Sequence, residues 1–210
     1  MAAILVIGAS QGVGLATIKA GLAAGHTMRA LARNAGKIDI TDHRLQKISA
    51  SATDAGAMAK AVAGVDAVVM TLGTSKIFEK TSLFSDATSI VIDAMRKSGV
   101  KRLLVVTGIG AGDSRGHGGL FYDKLFYPIL LKRIYANKDA QESLVRNSGL
   151  DWTIARPGML TNRPATGTYR ALTDMKDWGA GSISRADVAS YLIGEIASPK
   201  HIGKTPELIN

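Results

Sequence analysis

The sequence predicts an α/β fold in which a doubly wound parallel sheet carries helices on both faces. The first supporting observation is a series of short, wholly apolar runs such as residues 3–7, which are typical of strands buried on both sides. The second is that stretches with helical spacing separate these runs along most of the chain. Because strands that alternate with helices tend to pair in parallel, we expect one sheet covered on both faces.

The N-terminal half contains four predicted strands and three predicted helices. The strands are predicted at residues 3–7, 27–32, 44–48 and 66–71, and the third of them has the weakest pattern. The helices are predicted at residues 12–24, 54–62 and 86–98. Asp54 has the position of an N-cap, and each helical stretch is followed by a glycine suited to end it: Gly25, Gly64 and Gly99.

The C-terminal half continues the alternation. Strands are predicted at residues 102–106 and 152–155, separated by a glycine-rich loop at 108–119 and a helical stretch at 125–147 that Pro128 interrupts or begins. A last helix runs from Ser184 to Ala197, with Asp187 placed as in a variant capping box. We predict a single domain over residues 1–210, with a small C-terminal, substrate-side portion at about 157–210.

The composition excludes several classes of protein. The 210 residues include no cysteine, which excludes thiol catalysis, zinc ribbons and iron–sulfur clusters. No apolar run approaches the roughly 18 residues that span a bilayer. No group of His, Asp and Glu has the spacing of metal ligands. The sequence therefore predicts a cytoplasmic protein with no metal site and no membrane segment.

The net charge of +9 predicts an attraction for anionic ligands. The alternatives are a nucleic acid and a polyanionic small molecule. The lysines and arginines are mostly scattered singly, and no dense basic tract is interleaved with aromatic residues. This pattern favours the small molecule, although salt-sensitive binding of DNA or RNA would reverse that interpretation.

A glycine-rich segment, Gly8-Ala9-Ser10-Gln11-Gly12-Val13-Gly14, joins the first predicted strand to the first predicted helix. Glycine adopts a positive φ at low cost and lets the backbone approach a phosphate closely. The helix that follows presents free N–H groups and the positive end of its dipole. The segment, which we call the glycine loop, therefore predicts a dinucleotide site of the Rossmann type.

Arg33 indicates which dinucleotide binds. Sites for NAD usually place an acidic residue about 20 residues after the loop, where it holds the ribose 2′-hydroxyl. Here no Asp or Glu occurs between Gly8 and Asp39, and Arg33 directly follows the second predicted strand. A guanidinium can hold a 2′-phosphate that a carboxylate would repel, and Arg29 and Lys37 add positive charge. We therefore predict NADP(H) as the cofactor.

With these motifs in order, the chain resembles the atypical short-chain dehydrogenase/reductases, the NAD(P)H-binding group that includes biliverdin reductase B (a flavin reductase) and NmrA-like proteins. The resemblance covers nearly the whole chain and is specific for the superfamily rather than for a substrate. Besides the glycine loop, it depends on segments 30–34, 63–69, 72–74, 148–154, 156–158, 166–169 and 183–189.

The resemblance implies which residues contact the cofactor. The glycine loop would wrap the phosphates, segments after later strands would contact the adenine and the nicotinamide ribose, and Lys138 would reach the ribose hydroxyls. The implied cofactor-binding residues are Gly8, Ser10, Gln11, Gly12, Val13, Arg33, Asn34, Ser51, Ala52, Leu72, Gly73, Thr74, Thr107, Gly108, Lys138 and Pro157. The chain departs from the family at Gln11, where a glycine is usual, and at Ser51, where an aspartate is common.

The catalytic positions depart further from the family pattern of Ser, Tyr and Lys. The serine position holds Gly108, with Thr107 one place earlier. The tyrosine expected four residues before Lys138 is Ile134, and Tyr135 lies only three before it. Residues three or four apart share a helix face, so Tyr135 and Lys138 could still cooperate. We predict Lys138, Tyr135 and Thr107 as the catalytic candidates. The alternative for Tyr135 is a role in core packing.

The displaced serine and tyrosine point to an acceptor that needs no strong protein acid. A reductase that transfers hydride from NADPH to a small planar or carbonyl acceptor, such as a flavin or quinone, meets this condition because solvent can supply the proton. The alternative is a non-catalytic NADP(H)-binding sensor of the NmrA-like type. The expected partner is a small-molecule acceptor, and the chain is expected to be a monomer or a homodimer.

Residues 120–128 hold four of the nine Phe and Tyr side chains of the protein. They follow the fifth predicted strand, close to the expected nicotinamide. The segment predicts an aromatic wall for a planar substrate, a lid helix packed on the core, or a contact with a second subunit or a membrane surface.

Overall fold

The computed structural model describes residues 1–74, 81–111 and 132–210 and, within these ranges, every side chain except those of residues 132–135. Six strands have bounds close to the predicted ones: β1 (Ala3–Ile7), β2 (Thr27–Ala32), β3 (Leu45–Ser49), β4 (Ala67–Met70), β5 (Arg102–Val106) and β6 (Asp151–Pro157). The helices of these ranges are α1 (Gly12–Ala23), α2 (Ala55–Val62), α3 (Leu83–Ser98), α4 (Lys132–Arg146) and α5 (Arg185–Ala197). The predicted α/β class is confirmed.

Four shorter strands follow β6: β7 (Met159–Thr161), β8 (Arg170–Leu172), β9 (Ser182–Ser184) and β10 (Glu207–Ile209). The main sheet has the order β3-β2-β1-β4-β5-β6-β10-β8, and β7 pairs with β9 in a second sheet. Strand β1 pairs in parallel with both β2 and β4, with Ile7 opposite Leu31 and Met70. The strand order reverses between β1 and β4, which is where sheets of the Rossmann type bind dinucleotides.

The helices cover both faces of the sheet, as predicted. Helices α1 and α5 pack together on one face, while α2, α3 and α4 pack side by side on the other. Strand β1 supplies alternate residues to the two cores: Ile4 and Val6 face α1 and α5, whereas Leu5 and Ile7 face the other three helices. This two-sided burial explains why β1 is apolar at every position rather than at every second one.

Helix α3 begins at Leu83, three residues before its predicted start at 86. Its N-cap residue, Ser82, makes no side-chain capping bond. The cap comes from α4 instead, because Asn137 Oδ1 accepts hydrogen bonds from the N–H groups of Phe84, at 2.9 Å, and Ser85, at 3.3 Å. A helix start that is capped by a residue so distant in sequence leaves no local signal.

The region after β6 contains more strand than the sequence predicts. Between the predicted strand at 152–155 and the predicted helix that starts at Ser184, the sequence predicts no strand, but this region contains β7, β8 and most of β9. Strand β10 pairs in parallel with β6 and antiparallel with β8, so the main sheet is not wholly parallel. Strands of three residues are too short to show an alternating pattern. In the part of the chain that the structure describes, no helix has the length and apolarity needed to cross a membrane.

Candidate functional site

The residues predicted to bind the cofactor gather at one edge of the main sheet. Strands β1 to β6 are parallel, so their carboxyl ends share this edge. In chain order, the residues at these ends are the glycine loop, Arg33 with Asn34, Ser51 with Ala52, Leu72 to Thr74, Thr107 with Gly108, and Pro157 as the last residue of β6. Lys138 reaches the same edge from α4, where it donates a hydrogen bond to the carbonyl of Thr107.

The glycine loop is shaped by the absence of side chains. Gly8 has a φ of +86°, and its N–H donates to the carbonyl of Leu31 at 2.9 Å. A Cβ on Gly14 would lie 2.3 Å from the carbonyl oxygen of Gly8 and 2.6 Å from the hydroxyl of Thr71. No larger residue fits at Gly14 without separating α1 from β1 and β4. This close approach brings the first turn of α1 directly to the edge of the sheet.

The N-terminus of α1 has no competing acceptor of its own. Gln11 is the N-cap in an extended conformation, makes no side-chain capping bond, and is followed by no acidic residue in the first turn. Ser10 and Gln11 are exposed, while the side chain of Val13 is buried in the core, so Val13 can contribute only its backbone to a ligand. Free N–H groups and an uncompensated dipole fit the phosphates of a dinucleotide.

Arg33 lies beside the glycine loop. The carbonyl of Leu31 accepts hydrogen bonds from Gly8 and Ala9, so the residues that leave β2 are fixed next to the loop. Arg33 and Asn34 are both exposed there. An exposed guanidinium next to a phosphate-binding loop fits a 2′-phosphate.

The residues after β3 and β4 line the same edge. Ala52 is buried, whereas the exposed Ser51 has its hydroxyl 2.8 Å from that of Thr53 and accepts a hydrogen bond from the Thr53 N–H. Leu72 and Thr74 are half-buried and Gly73 is exposed. They follow β4 on the side of the crevice opposite the β2 end, as expected for residues near a nicotinamide ribose.

Thr107, one of the catalytic candidates, has its hydroxyl directed into the protein. It donates to Glu142 Oε1 at 2.7 Å, and both residues are buried. Glu142 is also paired with Arg156 of β6, through an Nε–Oε1 distance of 3.1 Å and an Nη2–Oε2 distance of 2.5 Å. The proton of Thr107 is therefore already donated to a carboxylate, and an acceptor substrate would have to compete for it.

Lys138 is the one catalytic candidate whose described side chain carries a titratable group. Its ammonium group hydrogen-bonds the Thr107 carbonyl and lies 5.4 Å from the centre of the Phe84 ring. Burial lowers the pKa of Lys138 to about 8, although the charge of Glu142 opposes the shift. The group is thus close to its ionisation at neutral pH, where a proton donor is most effective.

Two further expectations fall outside what the structure describes. The backbone of Tyr135 belongs to α4, but its side chain lies outside the described residues, so its alignment with Lys138 stays a prediction. The aromatic segment at 120–128 also lies outside the described ranges.

The buried pair of Glu142 and Arg156 is not among the residues predicted from the sequence. Arg156 is fully buried within β6, and its guanidinium lies 5.4 Å from the ring centre of Trp178. A signal was present, because a charged residue in a strand with buried neighbours requires a partner. Glu142 also lies one helical turn after Lys138, on the same face of α4. In the described ranges, no three His, Asp or Glu side chains are grouped to hold a metal ion.

Comparison with known proteins shows the family to which the chain belongs. A family model described as NAD(P)H-binding matches residues 8–199. The chain is 34% identical over 142 residues to an uncharacterized sugar epimerase, YhfK, of Bacillus subtilis, a match that covers 66% of this chain and 60% of the relative. It is 32% identical over 156 residues to the UPF0659 protein YMR090W of Saccharomyces cerevisiae, with 71% of this chain and 65% of the relative covered. The chain thus spans less than two thirds of either relative.

A solved structure is similar over almost the entire chain. ChuY of Escherichia coli O157:H7, described as an anaerobillin reductase, has 27% sequence identity and a TM-score of 0.81, with 99% of this chain and 96% of that chain covered.

Proposed function

The chain belongs to the NAD(P)H-binding family of Rossmann-fold oxidoreductases and epimerases, and on this premise we propose that it is an NADPH-dependent reductase of a small planar or carbonyl acceptor. In the reaction, NADPH supplies a hydride, a proton comes from Lys138 or solvent, and the products are NADP⁺ and the acceptor reduced by two electrons. The similarity to ChuY, an anaerobillin reductase, over 99% of this chain supports a reductase.

The observation that carries the cofactor choice is Arg33. It is exposed immediately after β2, and no acidic residue occupies that position. The glycine loop lies beside it, because the carbonyl of Leu31 accepts hydrogen bonds from the N–H groups of Gly8 and Ala9. The glycine loop would hold the pyrophosphate, and Arg33 would hold the 2′-phosphate that distinguishes NADPH from NADH.

Replacement of Arg33 tests this assignment. We expect Arg33→Ala to weaken NADPH binding by about 10- to 100-fold, because a charge-assisted contact with the 2′-phosphate is lost. NADH binding should change by less than about twofold, since NADH has no 2′-phosphate to lose a contact. Calorimetric titration of both cofactors measures the two ratios, and equal losses for NADPH and NADH would contradict the assignment.

The catalytic part of the proposal gives Lys138 the role of proton donor and cofactor contact, and Thr107 a structural role through Glu142. Thr107 donates its proton to a buried carboxylate, so we assign it no proton transfer. Turnover of NADPH with a panel of flavins, quinones and dicarbonyls tests the reductase itself.

The second candidate function is a non-catalytic NADP(H) sensor. It is favoured by the same inward hydroxyl of Thr107 and by Gly108 at the serine position, which leave Lys138 as the only described candidate acid. Tight NADPH binding without turnover of any acceptor in the panel would support the sensor. Robust turnover that Lys138→Met reduces would support the reductase.

A further inference from the structure

Arg185, the first residue of α5, lies beside the glycine loop. A Cβ built on Gly12 would be 3.8 Å from Arg185 Nε. Gly12 and Arg185 thus lie at one end of the contact between α1 and α5. Nine residues later in α1, a Cβ on Gly21 would be 3.4 Å from Cδ1 of Ile193, which lies eight residues after Arg185 in α5. The two helices therefore run in the same direction, and both N-termini face the edge of the sheet where the cofactor is proposed to bind.

The guanidinium of Arg185 is held in place by uncharged acceptors. Its Nη1 donates to Asn162 Oδ1 at 2.8 Å and to the carbonyl of Leu160 at 3.4 Å. Asp187, two residues further along α5, is engaged elsewhere, because its carboxylate accepts hydrogen bonds from Thr166, Gly167 and Ser184. No carboxylate within residues 1–74, 81–111 and 132–210 forms an ion pair with Arg185.

The guanidinium of Arg185 lies near a helix N-terminus that no carboxylate of its own first turn compensates. Within α5 itself, Ser184 accepts a hydrogen bond from the Asp187 N–H, and the carboxylate of Asp187 lies in the first turn. The N-terminus of α1, by contrast, has neither a side-chain cap nor an acidic residue in its first turn. A bound phosphate group would relieve the repulsion between the Arg185 guanidinium and this positive end of the α1 dipole.

We propose that Arg185 contacts the pyrophosphate of the dinucleotide from the α5 side and completes the anion site that the glycine loop begins. The inference rests on the proposed function, because it requires a dinucleotide on that loop. It assigns the two arginines to different groups of the cofactor. Arg33 would read the 2′-phosphate, which only NADP(H) has, and Arg185 would hold the pyrophosphate, which NADPH and NADH share.

Calorimetry on Arg185→Gln with four ligands tests this division. We expect binding of NADPH, NADH and ADP-ribose to weaken by about 10- to 100-fold, because each carries the pyrophosphate. Binding of adenosine 2′-monophosphate, which lacks the pyrophosphate, should be unchanged. Arg33→Ala should give the complementary result, with losses for NADPH and adenosine 2′-monophosphate only.

Three further variants control for charge, folding and orientation. Arg163→Gln removes an exposed arginine next to Asn162 and should leave all four affinities unchanged. Arg185→Lys keeps the charge and should lose less affinity than Arg185→Gln, with the melting temperature of the unliganded protein preserved. Asn162→Ala releases the guanidinium from its acceptor and should produce a smaller loss with the same ligand pattern.

Two outcomes would overturn the assignment of Arg185. One is an equal loss of adenosine 2′-monophosphate binding, which would indicate a general electrostatic effect. The other is an unchanged affinity for ADP-ribose in a folded Arg185→Gln protein. Failure of the proposed function gives a different result, namely wild-type protein that binds NADH as tightly as NADPH and reduces no acceptor, and in that case ADP-ribose still tests Arg185.

Discussion

Two arginines of the β2 region, four residues apart, have different surroundings. Arg29 donates to the carbonyls of Ala61 at 2.8 Å and Ala63 at 2.6 Å, so it caps the C-terminal end of α2. Arg33 is exposed at the carboxyl edge of the sheet. Arg29 is predicted from the sequence to add positive charge to the cofactor site, but its guanidinium instead joins β2 to α2. Arg33 is therefore the better candidate for a ligand contact.

Lys138 predicts a pH dependence for cofactor binding. Its pKa is lowered to about 8, so the side chain is mostly charged at neutral pH and loses its charge as the pH rises through about 8. Because the charged form attracts the cofactor, we expect the affinity for NADPH to fall by roughly tenfold across this range. Titrations of NADPH at a series of pH values measure the profile.

The matched controls are Lys138→Met and Lys97→Met, which removes an exposed lysine of α3. Lys138→Met should bind NADPH more weakly at neutral pH and should lack the fall near pH 8, whereas Lys97→Met should keep the wild-type profile. A wild-type profile in Lys138→Met would assign the titration to another group.

At the level of elements, Glu142 joins α4 to β5 and β6. It accepts a hydrogen bond from Thr107 and pairs with Arg156 while 1% exposed, and Arg146 lies 3.5 Å from its Oε2. We expect Glu142→Gln to lower the free energy of unfolding by about 3–5 kcal/mol, because a buried guanidinium loses its counter-charge. Urea denaturation measures the change.

Two further variants test whether the loss of stability comes from breaking the ion pair. The double variant Glu142→Gln with Arg156→Met should recover part of the lost stability, since it leaves no buried charge without a partner. Asp93→Asn, at an exposed carboxylate of α3, should change stability by less than about 0.5 kcal/mol. If Glu142→Gln cost no more than Asp93→Asn, the pair would contribute little to joining these elements.

Asp187 joins α5 to the segment around Thr166. Burial alone would raise the pKa of Asp187, but hydrogen bonds from Thr166, Ser184 and Gly167 outweigh burial and lower it. A carboxylate with a lowered pKa stabilises the fold above its ordinary pKa of 3.8, and this stabilisation is lost as the pH falls through the folded-state value. The predicted capping box forms only in part. Ser184 accepts a hydrogen bond from the Asp187 N–H, whereas the Asp187 carboxylate accepts hydrogen bonds from the N–H groups of Thr166 and Gly167.

We accordingly expect Asp187→Asn to cost about 1–3 kcal/mol at neutral pH. The difference from wild type should shrink as the pH falls below about 4, because both proteins are then uncharged at this position. Urea unfolding at neutral and acid pH measures both effects, with the exposed Asp177→Asn as control. A difference that stayed constant with pH would assign the loss to packing rather than to charge.

For the whole molecule, cofactor binding should raise the melting temperature. A ligand at 100 times its Kd stabilises the folded state by about 2.7 kcal/mol. For a chain of 210 residues, this corresponds to an increase of about 5–10 °C. Arg33→Ala should melt at the wild-type temperature without ligand and show a smaller increase with NADPH, which a thermal scan measures. A large fall in the unliganded melting temperature would mean that Arg33 is structural.

Local patterns in the sequence are sufficient to predict strands β1 to β6, the five helices of the described ranges and the edge of the sheet where a dinucleotide would bind. These features depend on local patterns: apolar runs, helical spacing, the cap at Asp54 and the glycine loop. Each pattern lies within a few residues of the element it predicts, so it can be recognised without knowledge of the fold.

Contacts between residues distant in sequence become visible only in the folded molecule. Asn137 caps α3, Glu142 holds Thr107 and Arg156, and Arg185 lies beside Gly12. Each contact arises because the sheet and its helices bring separate segments together, and the short strands β7 to β10 gain their pairing in the same way. The physical reason is that burial and charge pairing depend on which neighbours a residue acquires on folding, and sequence spacing does not specify these neighbours.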